Sequence, residues 1–452
     1  MQKKIIIIGA GPTGLGAGYR LKELGHQNFK IFEKNSYVGG LSASFTENGY
    51  TFDIGGHVIF SHYEYFDKIF NELLGQNFQS CQRSAHIYLQ DKFIPYPFQN
   101  NIQFLGKEQI LECLEGLVEI QGETGLNLRN EAQNFQEWVY ATFGKGIAKY
   151  FMNPYNFKVW AHPLTMLSKN WIAERVSVID LKTILRNVIM QTKDSGWGPN
   201  NTFKYPLFGG TGGLFSKFEP LFSDNLVLNT EIKKIDYENK IIYFADKSET
   251  YDILINTSPL DIFINQIAPQ KIDLIEKAKN LLHNGVFVVG IGVNKKIETS
   301  KSWVYFPEDK APFYRLTYLA NYSPNMTPDQ SENTNLLLEI SYSKYKKEDK
   351  NKIINDAIQG LINTQIINEA DRAEINSTFL FDAAYAYPIP SLARDEALNE
   401  IIPFLEAQDI YSRGRFGLWR YETGNMDHSL MQGVEVIDLI LNQQKEVTRY
   451  LS

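Results

Sequence analysis

The sequence predicts an α/β protein: a Rossmann-like dinucleotide-binding domain built from separated stretches of chain, with an inserted helical domain and an antiparallel β-sheet domain. Three observations carry this expectation. Near the N-terminus an unbroken β-branched run, Ile5–Ile8, leads into Gly9-Ala10-Gly11-Pro12-Thr13-Gly14 and then a helical pattern. From about Gln103 to Met190 apolar residues recur at helical spacing with few strand signals. Beyond that stretch, strand-like runs return at Leu226–Leu228, Ile241–Phe244, Tyr251–Asn256, Gly285–Val293 and Asn335–Tyr342. With 452 residues the chain exceeds one simple core, so two or three packed domains are expected.

Taken in order, Ile5–Ile8 has no polar interruption, which suits a strand covered on both faces. The glycine-rich turn follows, then a helix over Leu15–Leu24 that stops at Gly25. Phe29–Phe32 reads as the second strand, closed by Glu33. Lys107–Ile120, Phe135–Phe143 and Asp180–Gln191 read as helices of the inserted domain. The run Asp252-Ile253-Leu254-Ile255-Asn256-Thr257 reads as a second approach of the chain to the dinucleotide site, and Gly285–Val293 and Asn335–Tyr342 as strands of the antiparallel sheet. The expected division is 1–78, 205–282 and 405–452 for the dinucleotide domain. The helical domain with a substrate lid takes 101–196, and the sheet domain takes 79–100 and 283–404.

Composition excludes several classes. The net charge of −7 offers no basic excess for nucleic acid. An anionic ligand must therefore be drawn by a few placed arginines. Two cysteines, Cys81 and Cys113, support neither a disulfide framework nor a cysteine metal site. No group of His, Cys and acidic residues shows metal spacing along the chain, so no metal is expected. The Ile5–Ile8 run is too short for a signal-peptide core, and no stretch reaches the ~18 apolar residues of a bilayer span. A reducing, cytoplasmic setting is the expectation.

Gly9-x-Gly11-x-x-Gly14 lies between strand and helix, as the motif requires. Gly9 permits the tight turn, Gly11 admits a pyrophosphate to the backbone, and Gly14 lets helix and strand pack closely. The helix N-terminus supplies free N–H groups and partial positive charge. Glu33 follows about 20 residues on, where a carboxylate holds a ribose hydroxyl. The segment Glu33-Lys34 to Gly39-Gly40-Leu41 resembles the second glycine pair of many flavoproteins, which favours FAD over NAD.

Longer blocks carry a more specific resemblance. These are Gly55-Gly56-His57-Val58-Ile59-Phe60-Ser61-His62, Tyr96-Pro97-Phe98-Gln99-Asn100-Asn101 and Asn153-Pro154-Tyr155-Asn156-Phe157-Lys158-Val159-Trp160. Gly209-Gly210-Thr211-Gly212-Gly213, Trp303 to Asp309 with Phe313-Tyr314-Arg315, and Ser412 to Gly417 with Trp419-Arg420-Tyr421-Glu422 continue the series. In this order, across nearly the whole chain, they resemble the eukaryotic-type UDP-galactopyranose mutases. The resemblance implies a flavoenzyme that uses reduced FAD as a nucleophile. Flavin N5 attacks the anomeric carbon, UDP leaves, and the ring opens and recloses through another hydroxyl. NADPH or NADH is the implied reductant and a UDP-sugar the implied substrate; a homo-oligomer is compatible with it.

The resemblance also implies residue roles. His57, Arg175 and Arg315 are the expected catalytic residues, the two arginines clamping the pyrophosphate. Tyr305, Tyr387 and Tyr421 are expected on the phosphates, although Tyr385 competes with Tyr387 on local context. Tyr96, Phe98, Gln99, Asn156 and Trp160 are expected around uridine, Arg83 and Trp303 elsewhere in the substrate pocket, and Asn200 on a lid. Gly9, Gly11, Thr13, Gly14, Glu33, Gly40, Leu41, Gly56, His57, Arg415, Asn425 and Met426 are expected at the cofactor. His62 is expected at most to support the uridine pocket. One departure stands out: where the family usually has glutamine after Asn425, this chain has Met426, which removes a polar contact beside the flavin. The rival readings are a mutase for another nucleotide sugar (a GDP-sugar or UDP-arabinopyranose), an amine-oxidase-like flavin dehydrogenase, and a flavin-free prenyl-protein escort on the same fold.

Overall fold

The computed structural model describes residues 2–172, 176, 180–194, 201–267 and 269–451. Its organising element is a five-stranded parallel sheet in the order Ile410–Ser412, Ile253–Asn256, Ile5–Ile8, Phe29–Phe32, Leu226–Val227. The register pairs Ile5 with Phe29 on one side and with Ile253 on the other. Side chains of the central strands alternate between two cores. Ile5, Ile7, Ile253 and Ile255 enter one, and Ile6 and Leu254 enter the other. This is why residues 5–7 and 253–255 are apolar throughout.

The helices Pro12–Glu23 and Met426–Asn442 cover the first face. They approach closely because glycines stand at the crossing. A Cβ on Gly433 would lie 2.0 Å from the Thr13 carbonyl oxygen, and one on Gly16 would lie 2.3 Å from that of Leu430. The helices Leu260–Ile267, Ile272–Ala278 and Arg394–Glu406 cover the second face.

A seven-stranded sheet stands beside this unit. Its order is Ile375–Pro388, His283–Val293, Thr334–Tyr342, Arg315–Tyr318, Trp303–Tyr305, Ala85–Leu89, Lys92–Pro95. Pairing is antiparallel throughout except between Trp303–Tyr305 and Ala85–Leu89, which run parallel. The neighbouring strand Phe78–Gln82 pairs instead with Thr202–Pro206 in a separate two-stranded ribbon. The helices Lys107–Glu119, Phe135–Ile147, Asn153–Trp160 and Leu181–Met190 share a third core around Phe98, Phe143, Phe151 and Trp160, and Gly122–Glu131 packs outside it against Phe135–Ile147.

Most expected elements appear within a residue or two of their sequence bounds. Asp180, expected as the first residue of a helix, is its N-cap, accepting from the Lys182 and Thr183 amides. Its short carboxylate satisfies donors that the first turn leaves open. The strand expected from Tyr251 starts at Ile253, because the Tyr251 amide donates instead to the Lys240 carbonyl.

Candidate functional site

The cradle is set by the turn after Ile5–Ile8. Gly9 has φ +100, and a Cβ there would lie 2.3 Å from Thr257 Oγ1, on the second chain approach expected from the sequence. A Cβ on Gly14 would lie 1.9 Å from the Gly9 carbonyl oxygen, so only glycine lets the helix begin so close to the strand. Beside Gly11, by contrast, no heavy atom stands within 4 Å of an added Cβ. That open side, at the N-terminus of Pro12–Glu23, is the space a pyrophosphate needs. The second glycine pair abuts it: the Gly39 amide donates to the Ala10 carbonyl, and a Cβ on Gly40 would lie 3.3 Å from Gly11 Cα. Leu41 is half-buried behind this junction.

Glu33 is buried and already engaged. One oxygen accepts the Ala10 amide at 2.8 Å, and the other accepts the backbone and side-chain nitrogens of Asn35. The Ala10-facing oxygen keeps a second lone pair for a hydroxyl. Thr13 is buried against Gly414, whose φ is +89. Asn425 is the exposed N-cap residue of Met426–Asn442, and Met426 packs half-buried against the core beneath.

Two sheet strands, the helical insert and the loops at Tyr96 and Tyr421 bring aromatic rings together. Trp160 lies edge-on to Tyr421 at 4.9 Å and to Tyr387 at 5.9 Å, and Tyr387 and Tyr421 are 5.8 Å apart. Arg415 Cζ sits 5.0 Å over the Tyr387 ring and 5.6 Å over that of Tyr421, with donors on the Ala386 and Gly424 carbonyls. A second series runs Tyr96, Tyr305, Tyr155, Phe151, Phe98, with ring centroids 5.4, 5.1, 5.0 and 4.9 Å apart. Arg83 lies 5.9 Å from the Tyr96 ring, and Trp303 lies 6.5 Å from Tyr305. Burial first of all holds the phenols of Tyr96, Tyr155, Tyr305 and Tyr387 above their ordinary pKa, so they stay protonated donors.

Several placements differ from the sequence expectation. Phe98 is fully buried and stacked on Phe151, so it backs the layer that Tyr155 presents rather than offering a free face itself. Gln99 is also buried. Asn156 donates its amide to the Met152 carbonyl, just before its own helix. Tyr385 and Tyr387 separate cleanly: Tyr385 stacks on His283 at 4.0 Å and donates to Asp261, whereas Tyr387 joins Trp160 and Arg415. Arg175 and Asn200 lie outside the described residues.

Sequence reasoning missed the residue at the centre. Glu339, 2% exposed, accepts Arg315 Nε at 2.7 Å and Nη2 at 2.8 Å, the Gly56 amide at 2.7 Å and the Tyr314 hydroxyl at 2.6 Å. The available signal was one charge inside the apolar strand Thr334–Tyr342, since a buried carboxylate needs such partners. Next to it, His57 has its Nδ1 buried with no protein partner. Burial pushes this imidazole down to about 4, with Glu339 opposing and Arg315 and Arg415 adding to the shift. It is therefore neutral at pH 7, with an unsatisfied ring nitrogen in the cleft. Together with the open side of Gly11, that orphaned atom fits a bound flavin dinucleotide.

His62 joins none of these rings. Its Nδ1 and backbone amide engage Asp427 at 2.7 and 3.1 Å, and it stacks on His428 at 4.8 Å. The fold thus gathers His, Asp and His from distant positions, with ligand-type atoms spread over as much as 4.8 Å. That spread exceeds twice a ~2.1 Å metal–nitrogen bond, and the His62–Asp427 hydrogen bond accounts for the proximity.

Fold and site together define a Rossmann-type dinucleotide-binding protein with a cleft of arginine and phenol donors. Comparison with known proteins agrees and narrows it. A profile described as "NAD(P)-binding Rossmann-like domain" matches residues 7–73. A 4,4'-diapophytoene desaturase from Staphylococcus haemolyticus (strain JCSC1435) is 49% identical over 55 residues, 12% of this chain. The chain spans only 11% of that relative's length. A conjugated-linoleic-acid-producing fatty acid isomerase from P. acnes (TM-score 0.65, 16% identity, 97% of this chain and 99% of that one) shares the fold alone. The same holds for putrescine oxidase bound to putrescine (TM-score 0.65, 13% identity, 98% and 99%). A crystal structure of reduced UDP-galactopyranose mutase matches at TM-score 0.95 and 40% identity, over 100% of this chain and 96% of the other. The chain belongs to the UDP-galactopyranose mutase family. Among the described residues, no helix is long and apolar enough to cross a membrane.

Proposed function

We propose that this protein interconverts UDP-galactopyranose and UDP-galactofuranose, with FAD in the cradle and NADPH or NADH as its reductant. The observation that carries the reading is Arg315, locked by Glu339 amid Tyr305, Tyr314 and Tyr387, in a chain similar over its full length to a UDP-galactopyranose mutase. The Arg315 fork suits a diphosphate leaving group, because its charge is permanent and its geometry fixed before the ligand arrives. Tyr305, Tyr387 and Tyr421 add neutral donors that take phosphate charge without adding a counter-charge. Tyr96 and Tyr155 supply faces for a uracil ring, and Trp160 closes the wall behind Tyr387 and Tyr421.

Gly9, Gly11, Gly14 and Glu33 would hold the dinucleotide, and the neutral His57 ring would meet its isoalloxazine edge. When bound and reduced, that ring supplies the nucleophile for the anomeric carbon. The protein's part is to hold UDP close by while the sugar is rearranged and to exclude water that would hydrolyse it. The domain division at 101–196 and at 79–100 with 283–404 would place the nucleotide between the helical insert and the sheet.

The test is direct. The purified protein is examined by visible absorbance, reduced with dithionite and given UDP-galactofuranose. Appearance of UDP-galactopyranose only after reduction is expected. A flavin-bearing protein that leaves this sugar unchanged but turns over a different nucleotide sugar overturns the substrate assignment, and conversion without any reductant overturns the reduced-flavin requirement.

A further inference from the structure

Glu339 gathers groups from two distant parts of the chain, Tyr314-Arg315 and the Gly56 loop. Arg315 comes from its partner strand Arg315–Tyr318, where it lies directly opposite Glu339 in the register. Gly56 comes from the loop that carries His57, and Tyr314 passes the contact on to Tyr387, hydroxyl to hydroxyl at 3.3 Å. The loop is pressed against the same strand: a Cβ on Gly56 would lie 2.4 Å from Thr317 Oγ1 and 3.2 Å from Glu339 Oε1. The carboxylate is 2% exposed while Arg315 is 21% exposed at its side chain. The pair is thus anchored on the Glu339 side and open on the arginine side.

We infer that Glu339 is a positioning residue that places the Arg315 guanidinium and the Gly56–His57 backbone in one rigid frame, so that the phosphate clamp and the cofactor-facing histidine keep a fixed spacing. The inference rests on the reading of Arg315 as the diphosphate clamp. Its physical content is a division of labour. Two Arg315 donors are spent on Glu339, which fixes the plane of the fork, and the remaining donors stay for the ligand. The carboxylate also neutralises the arginine when no ligand is bound, so the cleft does not hold a lone buried charge. This predicts a particular separation of effects. Removing the Glu339 charge leaves a more positive cleft, which binds a diphosphate at least as well, yet the arginine that binds it no longer stands at the required spacing from His57.

The experiment uses the flavin-loaded full chain with UDP as the binding probe and UDP-galactofuranose as substrate. Glu339→Gln is expected to lower kcat by about 100-fold while the dissociation constant for UDP stays within about threefold of wild type or tightens. Glu339→Asp, which keeps the charge but shortens the reach, is expected to recover part of kcat. A double cycle with Arg315→Lys is expected to be strongly non-additive, because both variants remove the same two-point contact. A role confined to stability would lower the thermal midpoint and weaken UDP binding in step, with kcat per folded molecule retained. That pattern, or a folded Glu339→Gln with wild-type kcat, overturns the inference. If Glu339→Gln does not fold, Tyr314→Phe removes one of the four donors and must show the same split in smaller measure; Tyr314→Phe with both constants unchanged then overturns it. Failure of the wild-type protein itself to bind UDP would be a failure of the proposed function and is distinguishable from all of these.

Discussion

Tyr421 stands in the cleft wall, and the residue that fixes its segment is buried behind it. Arg394, 1% exposed, donates Nη1 and Nη2 to the two oxygens of Glu422, both at 2.8 Å. Glu422 is itself buried, with Arg420 Nη1 at 3.6 Å. Arg394→Met keeps much of the volume and removes both donors. Each charge-assisted bond of this kind contributes about 1.5–3 kcal/mol, and removal of one partner of a buried pair costs about 3–5 kcal/mol, because the carboxylate stays desolvated. We expect a loss near 3 kcal/mol, since Arg420 can swing in from 3.6 Å and offset part of it. The assay is urea unfolding followed by far-UV circular dichroism, with the slope unchanged and the midpoint lowered. UDP affinity should fall with it, because Tyr421 adjoins Glu422 in sequence. Arg394→Met/Glu422→Leu should recover most of the stability, since no charge is then left buried. A single variant as stable as wild type, or a double variant no better than the single, would refute the argument.

Other outcomes follow from the same geometry. Arg315→Ala should keep flavin bound, because Arg315 lies outside the glycine cradle, while turnover falls by at least about 100-fold; activity and visible absorbance measured on one sample check both. Gly14→Val should abolish dinucleotide retention, since its Cβ would sit 1.9 Å from the Gly9 carbonyl oxygen; a yellow variant that keeps full occupancy would contradict this. Lys158 is buried and donates to the Glu308 and Ala311 carbonyls at 2.8 Å, and burial pushes its ammonium down to about 7. The folded state therefore binds fewer protons than the unfolded between about pH 7 and the ordinary lysine range, so this group makes stability rise with pH across that window. Lys158→Met should flatten that rise in thermal midpoints measured from pH 7 to 10.

How much of this was legible in the sequence depends on the range of the interactions involved. The parallel strands were readable because residues 5–7 and 253–255 are buried on both faces and are apolar throughout. The glycine turn was readable because backbone approach is a local demand. The single parallel pairing of Trp303–Tyr305 with Ala85–Leu89 was not, since pairing partners leave no mark in either strand. Glu339 was visible only as an odd charge in an apolar run; its four donors come from positions as far off as Gly56. Phe98 looked like a ligand face in a Tyr-Pro-Phe-Gln block, and only packing shows Phe151 already covering it. The same limit hid the His62–Asp427–His428 group, whose members are 365 positions apart where they bond.

On the proposed function, the charge arrangement among the described residues of the cleft suits a diphosphate. Arg315 is compensated by Glu339, and His57 is held neutral by burial with its pKa near 4. Arg415 is spent on two carbonyls and two ring faces. Beside them, the phenols of Tyr305 and Tyr387 are donors that burial keeps protonated. These described groups offer fixed dipoles, and the charge of Arg315 among them is compensated. A bare cluster of arginines would bind UDP so tightly in the ground state that its return to the sugar would be slowed. On the proposed function, oriented dipoles around the tethered Arg315 guanidinium would stabilise a departing diphosphate at lower ground-state cost, which would suit a leaving group that must also come back.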